Sequence, residues 1–236
     1  MWSGPRNLST AMMRSFENRP DCTAWDEPFY VPFLLETGID HPMRDAVLSG
    51  GVRDWRNVIE QCLGPAPDGA PVYYQKHITL HMLPTFDREW IKQLTNVFLI
   101  RAPEFVVASY VKKRESATLR DIGFVEQKEL FDLVSDTMET TPVVVDATDI
   151  QANPEAMIKA LCSAIDLPFD DAMLHWPAGR RDSDGVWGEH WYNTVIESTG
   201  FAPPHAEPPV LNNEGQRLAD AARPYYEALA PFALKL

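Results

Sequence analysis

Long apolar runs are missing from this chain: none approaches the roughly 20 residues that a membrane-spanning helix needs. The first residues also lack the charged and apolar regions of an export signal, so a soluble, cytoplasmic protein is the expectation. Cysteine is scarce, and its three occurrences, Cys22, Cys62 and Cys162, are odd in number and far apart. That excludes a disulfide framework or a metal-binding cysteine motif and fits a reducing compartment. Basic residues are few as well, 21 Lys and Arg against 34 Asp and Glu, for a formal net charge of -13. A broad cationic surface for nucleic acid or an anionic membrane is thereby excluded, and any anion site has to be local. There is no internal repeat and no low-complexity tract. Asn7-Leu8-Ser9 matches a glycosylation acceptor only formally, in a chain expected to stay inside the cell.

What the chain does hold is enough apolar residues, 45% of its 236, for a substantial core. Short β-rich runs, at 23–25, 72–76, 97–100 and 143–146, alternate with segments of helical periodicity. Leu8, Ala11, Met12 and Phe16 repeat at the spacing of a helix packed on a sheet over residues 8–18. Pro103 and Pro154 stand where the first turn of a helix tolerates a missing N–H, which predicts helices within 102–113 and over 155–165, the second capped by Asn153. Another helix is predicted over 124–140, a loop over 64–69, and a proline-rich extended linker over 202–209 before the last helix. This alternation predicts a parallel sheet covered by helices, organised as one α/β domain over 1–236 with a helical extension from about 186–236. Only Met1, Trp2 and Ser3 precede the first loop, whereas a central strand usually has about five residues. Either this strand is very short or the native start lies upstream.

The loop Ser3-Gly4-Pro5-Arg6-Asn7-Leu8-Ser9-Thr10 leads straight into the first predicted helix. Backbone N–H groups at a helix N-terminus, with the positive end of its dipole, form a ready site for phosphate. Arg6 adds a fixed charge with several donors, and Ser9 and Thr10 add hydroxyls. An ordinary strand-to-helix turn, with Ser9 only capping the helix, reads equally well from these residues. The Gly-Lys pair of an ATP-type Walker loop is absent, with Ser9 and Thr10 in its place. A second constellation spans residues 99–110. Arg101 stands at a strand's carboxyl end, where ligands of open α/β sheets bind, and Ser109 follows about two helical turns later. Alternatively, Arg101 pairs with Glu104 or another surface carboxylate.

In this order the two constellations resemble the 5′-phosphosulfate loop and the 3′-phosphate motif of the P-loop sulfotransferases: a basic residue followed by Ser/Thr, then an arginine at a strand end with a serine eight residues later. The resemblance extends over most of the chain. It implies a three-layer α/β fold with a P-loop-type central parallel sheet flanked by helices, and a transferase using 3′-phosphoadenosine 5′-phosphosulfate as co-substrate. It assigns Gly4, Pro5, Arg6, Asn7, Leu8, Ser9 and Thr10 to the 5′ side of that donor, and Arg101 and Ser109 to its 3′-phosphate. Gly179-Arg180-Arg181, followed by Gly185 and Trp187, is similar to the family's C-terminal basic segment that closes over the donor, which adds Arg180 and Arg181. Many members have glycine where this chain has Leu8, a departure that bears on how closely the backbone wraps the sulfate.

The acceptor hydroxyl has to lose its proton as sulfur is attacked, which needs a carboxylate or imidazole within hydrogen-bond reach. Glu27, in Trp25-Asp26-Glu27-Pro28 directly after the second strand, is the first choice, and the resemblance favours it over Asp26. Either acid could instead only cap a helix. His77 is the rival base, because other sulfotransferases carry a lysine and a histidine after the next strand, here Lys76 and His77. Lys76 and Arg6 would stabilise charge on the departing phosphate. His77 and His81 stand four apart, a spacing that chelates metal on a helix, but no third ligand is in sight and no metal is expected. Within the aromatic cluster of Trp187, His190, Trp191 and Tyr192, Trp191 is assigned to the core, and Trp187 is left between core and ligand stacking. Lys112-Lys113-Arg114 reads as a solvated helix end.

The expected activity is sulfuryl transfer to a hydroxyl of a small molecule whose identity the sequence does not reveal, with no nucleic-acid or membrane partner and no readable oligomeric state. Two alternatives stand beside it. One is a kinase-like phosphotransferase that recruits Asp26 or Asp146 for a metal, and the other is a nucleotide-binding protein of the same fold without turnover.

Overall fold

The computed structural model of the chain describes residues 1–113, 117–137 and 141–236. Among them are five strands, β1 (Trp2–Ser3), β2 (Cys22–Asp26), β3 (Val72–Ile78), β4 (Val97–Ile100) and β5 (Val143–Asp146). They form one sheet in the order β2-β3-β1-β4-β5, and every neighbouring pair is parallel. The two residues of β1 suffice for a central strand because both sides are held: Trp2 lies opposite His77 in β3 and Phe98 in β4. β4 and β5 are nearly unbroken apolar runs, as expected of parallel strands covered on both faces.

The helices are α1 (Ser9–Glu17), α2 (Tyr30–Thr37), α3 (Arg44–Gly50), α4 (Trp55–Leu63), α5 (Pro103–Val111), α6 (Phe124–Thr137), α7 (Ala147–Ala152), α8 (Pro154–Ala164), α9 (Gly188–Trp191), α10 (Asn193–Ile196) and α11 (Asn213–Leu229). Asn153 caps α8 as the sequence predicts, accepting the Ala156 N–H at 3.3 Å. The last residues of the helix predicted over 124–140, and Arg114 of the basic run, lie outside the described residues. No helix among the described residues is long and apolar enough to cross a membrane.

Side-chain alternation along the strands splits the core into two halves. Met12, Met13 and Phe16 of α1 and Ile158 and Leu161 of α8 pack with Tyr74, Leu99 and Val145 on one face of the sheet. Trp2, Phe98 and Val144 turn to the other face, against Phe29, Trp90 and Phe131. The sheet is therefore the middle of three layers. α11 packs against α5 and α6, with Ala219 and Ala222 beside Val106 and Tyr110. The same alternation decides what β3 offers: Lys76 follows Tyr74 onto the α1 face, while His77 goes with Trp2 onto the opposite one. β3 runs two residues past its predicted end at 76, so His77 lies inside a strand rather than in the loop after it.

Candidate active site

The carboxyl ends of all five strands meet at one edge of the sheet, and a cavity of about 330 Å³ opens there. It is lined by residues 5–10 after β1, Glu27 after β2, Lys76 of β3, Arg101 after β4 and Gln151 of α7, with Trp191 and Tyr192 returning from the C-terminal part of the chain. Of the sequence candidates, Pro5, Arg6, Asn7, Leu8, Ser9, Thr10, Glu27, Lys76, Arg101 and Ser109 meet on this cavity.

The loop after β1 is held in a demanding conformation. Arg6 and Leu8 have φ of 65° and 72°, in the left-handed region that costs a side-chain-bearing residue about 1–2 kcal/mol. Leu8 thus takes, at that cost, the backbone shape that glycine would supply without strain. Glu27 is also left-handed, at φ 44°. Among the described residues five non-glycine residues have positive φ, and these three all line the cavity, where such strain concentrates when a site is over-determined by its surroundings. Leu8 occupies the N-cap position of α1 with no side-chain cap, so Ser9 is not the cap, and the first-turn amides of α1 have no intrahelical acceptor. Asn7 braces the loop from beneath, donating to the Leu99 carbonyl at 3.2 Å.

Two arginines flank this helix start. Arg6 donates through Nε to Ser109 Oγ at 2.9 Å and through Nη1 to the Trp191 carbonyl at 3.1 Å, with its guanidinium 5.9 Å from the Trp191 ring. Arg101 donates to the Arg6 carbonyl at 3.1 Å and stacks over Phe105 at 5.3 Å. Its Nε is buried without a hydrogen-bond partner among the described residues. Burial lowers the pKa of both arginines, and Arg6 lowers that of Arg101 further. Two neighbouring guanidiniums, an orphaned donor and open helix amides are a set of groups that an anion would satisfy.

The other end of the cavity is internally compensated. Asp26 is the register partner of Lys76, so both side chains leave the sheet on the same face. The Lys76 ammonium donates to Asp26 Oδ1 at 2.8 Å, Glu27 Oε1 at 2.6 Å and Tyr192 Oη at 2.6 Å. Burial opposes charge on Lys76, but the two carboxylates together outweigh it and hold its pKa above the ordinary lysine value. Glu27 is pushed up, chiefly by burial, then by Asp26, against the pull of Lys76. His81 Nδ1 lies 3.8 Å from Glu27 Oε2, and its ring stacks on Tyr30 at 4.5 Å. Burial, followed by His41 and Lys76, holds His81 well below the usual histidine range, so it is neutral at pH 7.

Several expected residues fall elsewhere. His77 does not line the cavity; it stacks on Trp2 at 4.3 Å on the opposite face of the sheet and pairs with Gln75 at 3.2 Å. Of the pair His77 and His81, it is His81 that lines the cavity, which the sequence offered only as half of a metal-spaced pair. Arg180 is partly exposed and paired with Glu189 at 2.9 Å, and neither it nor Arg181 lines the cavity. Their turn is pinned to α1 by the buried Arg14–Asp184 ion pair at 2.7 Å. Gly4 is not on the cavity either: a Cβ there would meet the Ile122 carbonyl oxygen at 2.7 Å, so glycine permits a close backbone approach. Trp191, assigned to the core, packs partly against it but also lines the cavity, while Trp187, left open by the sequence, is buried and donates to Tyr192 Oη at 3.0 Å.

The sequence pattern of the sulfotransferase domain family matches residues 1–233. The chain belongs to that family. This sulfotransferase domain is 35% identical over 232 residues to branched-chain-amino-acid aminotransferase-like protein 2 of Arabidopsis thaliana, covering 97% of this chain and 40% of that protein. It is 36% identical over 231 residues to aminotransferase-like protein 1 of the same plant, again with 97% and 40% covered. The domain thus spans about two-fifths of the length of these relatives. In fold it is similar to the sulfotransferase domain of the Synechococcus PCC 7002 olefin synthase, with a TM-score of 0.55 at 17% identity over 93% of this chain and 92% of the other. It is likewise similar to the sulfotransferase domain from the curacin biosynthetic pathway, with a TM-score of 0.52 at 16% identity over 94% and 95%.

Proposed function

We propose that this domain moves a sulfuryl group from 3′-phosphoadenosine 5′-phosphosulfate to a hydroxyl of a small-molecule acceptor, with Glu27 as the general base. The observation that carries this reading is a single cavity with an anion-seeking end, formed by the α1 N-terminus, Arg6, Arg101 and Ser109, and a buried carboxylate–lysine pair at the other end, Glu27 and Lys76. The orphaned Arg101 Nε and the uncapped first turn of α1 suit a ligand with two separated anionic groups. The donor supplies an activated sulfuryl group on its 5′-phosphate. Glu27 takes the acceptor's proton as the new O–S bond forms, and the bond to the bridging oxygen breaks with its electron pair left on the phosphate. Lys76 and the α1 amides stabilise the charge that develops there. Because these groups are fixed in advance by the fold, positioning and preorganised charge carry the rate. Around Glu27 the lining residues Tyr30, Ile78, Leu80 and Trp191 favour a hydroxyl carried on an apolar or aromatic body.

Calorimetry at fixed ionic strength tests the donor. Adenosine 3′,5′-bisphosphate is expected to bind at least about tenfold more tightly than adenosine 5′-monophosphate, the worth of one charge-assisted contact plus one hydroxyl contact. Outcompetition by ATP with magnesium would favour the phosphotransferase alternative and overturn the reading.

A further inference from the structure

We infer that Tyr192 is a positioning residue for the reaction: its hydroxyl, with Asp26, completes the hydrogen bonding of Lys76 and leaves Oε2 of Glu27 as the carboxylate oxygen presented to the acceptor. This rests on the functional reading above and adds to it a residue from the far end of the chain. The argument is a count of protons. An ammonium has three N–H donors, and those of Lys76 are taken by Asp26 Oδ1, Glu27 Oε1 and Tyr192 Oη. A phenolic hydroxyl accepts through its lone pairs and donates once. Tyr192 Oη accepts from Lys76 at 2.6 Å and from Trp187 Nε1 at 3.0 Å. Its single proton has three candidate acceptors: Asp26 Oδ2 at 2.7 Å, Asp26 Oδ1 at 3.0 Å and Glu27 Oε1 at 3.2 Å. The shortest contact takes it, and Asp26 Oδ2 accepts from the Gly185 amide as well, at 3.2 Å. Both oxygens of Asp26 are thereby engaged, and Glu27 Oε1 is occupied by Lys76.

That leaves Glu27 Oε2, which faces His81 Nδ1 at 3.8 Å, beyond hydrogen-bond distance. The groups facing Glu27 are then Asp26 beside it, Lys76 from β3, His81 after β3 and Tyr192 between α9 and α10, with Arg6 and His41 farther along the same cavity. Tyr192 reaches this place because its segment is tied down twice more, by Gly185 on Asp26 and by Asp184 on the buried Arg14. A wall built from residues 184–192 thus sets the state of a base carried on the loop after β2.

Two variants test this, read by the pH profile of kcat and by carboxyl-carbon NMR of Glu27 in the donor-free protein, assigned with Glu27→Gln. Tyr192→Phe takes from Asp26 the hydroxyl that shares its negative charge, so that charge bears more fully on Glu27, and it frees one Lys76 N–H. The Glu27 midpoint and the acid limb of kcat are expected to move to higher pH, and kcat to fall while affinity for adenosine 3′,5′-bisphosphate stays near wild type. Asp26→Asn removes the like charge beside Glu27, and its midpoint is expected to move to lower pH. General damage would not displace one group in opposite directions. The inference is overturned if both midpoints move the same way or stay put, or if Tyr192→Phe keeps full kcat with an unmoved limb. Should Tyr192→Phe not fold, Trp187→Phe, which removes the Nε1–H that donates to the Tyr192 hydroxyl and so weakens that hydroxyl as a donor to Asp26, takes its place: the Glu27 midpoint is expected to move to higher pH, and an unmoved midpoint overturns the inference. If the wild type binds no bisphosphate and transfers no sulfuryl group, the functional reading falls by itself, because the NMR midpoints need no turnover.

Discussion

The two ends of the cavity treat charge in opposite ways. At the end formed by α1, Arg6 and Arg101, positive groups crowd one another and one donor has no partner among the described residues. At the end formed by Asp26, Glu27, Lys76 and Tyr192, every N–H of the ammonium is used and the cation is enclosed by its own carboxylates. The first end has positive charge and a donor to spare, whereas the second pairs its cation internally and keeps Glu27 Oε2 for the acceptor. Changes at the first should therefore register as affinity, and changes at the second as turnover and folding stability.

The largest expected effect lies at the compensated end. Glu27→Gln is expected to lower kcat by about two to four orders of magnitude, the span for losing a general base, with affinity for adenosine 3′,5′-bisphosphate kept. In the wild type, activity needs the carboxylate, so it should fall as pH drops through the raised pKa of Glu27. Because burial raises that pKa, the loss comes at a higher pH than for an exposed glutamate, and stopped-time assays across pH would show that limb absent from the variant. A Glu27→Gln enzyme with full turnover would break the division between the two ends.

Next in size, Lys76→Met leaves two buried carboxylates without their cation and is expected to cost about 3–5 kcal/mol of stability at neutral pH. The loss should shrink as pH falls and the stranded carboxylates take up protons, which urea unfolding at two pH values would reveal. At the open end, Arg101→Ala is expected to reduce the preference for the bisphosphate over the monophosphate by about tenfold, with binding of the monophosphate little changed. Equal weakening of both ligands would mean that Arg101 shapes the site rather than reading a second phosphate. Smallest of all, His77→Asn should leave kcat and its pH profile as in the wild type and lower only the melting temperature, since the ring packs on Trp2 away from the cavity. A dead His77→Asn enzyme with intact stability would move the base away from Glu27.

Much of this protein follows from local sequence alone. The runs at 97–100 and 143–146 are β4 and β5 to the residue, because strands buried on both faces read as apolar runs and Asp146 at the end of β5 caps the helix that follows. Pro103 and Pro154 open α5 and α8, because proline fixes φ where a helix begins. That the loop after β1 and Arg101 share one edge of the sheet was legible for a related reason: a strand end followed by a helix start is a local event, and its backbone amides point where the chain direction sends them. What tertiary structure alone decided is which side chains share a space. Whether Lys76 or His77 faces the cavity depends on the register of β3 against β1 and β2, a parity that a difference of two residues in strand length obscures. Arg180 and Arg181 stand off the cavity in a turn tied to α1 by the Arg14–Asp184 ion pair, and Tyr192 meets Glu27 from 165 residues away in the chain. No local pattern reports such a meeting, since it is set by how the last third of the chain packs back over the sheet edge.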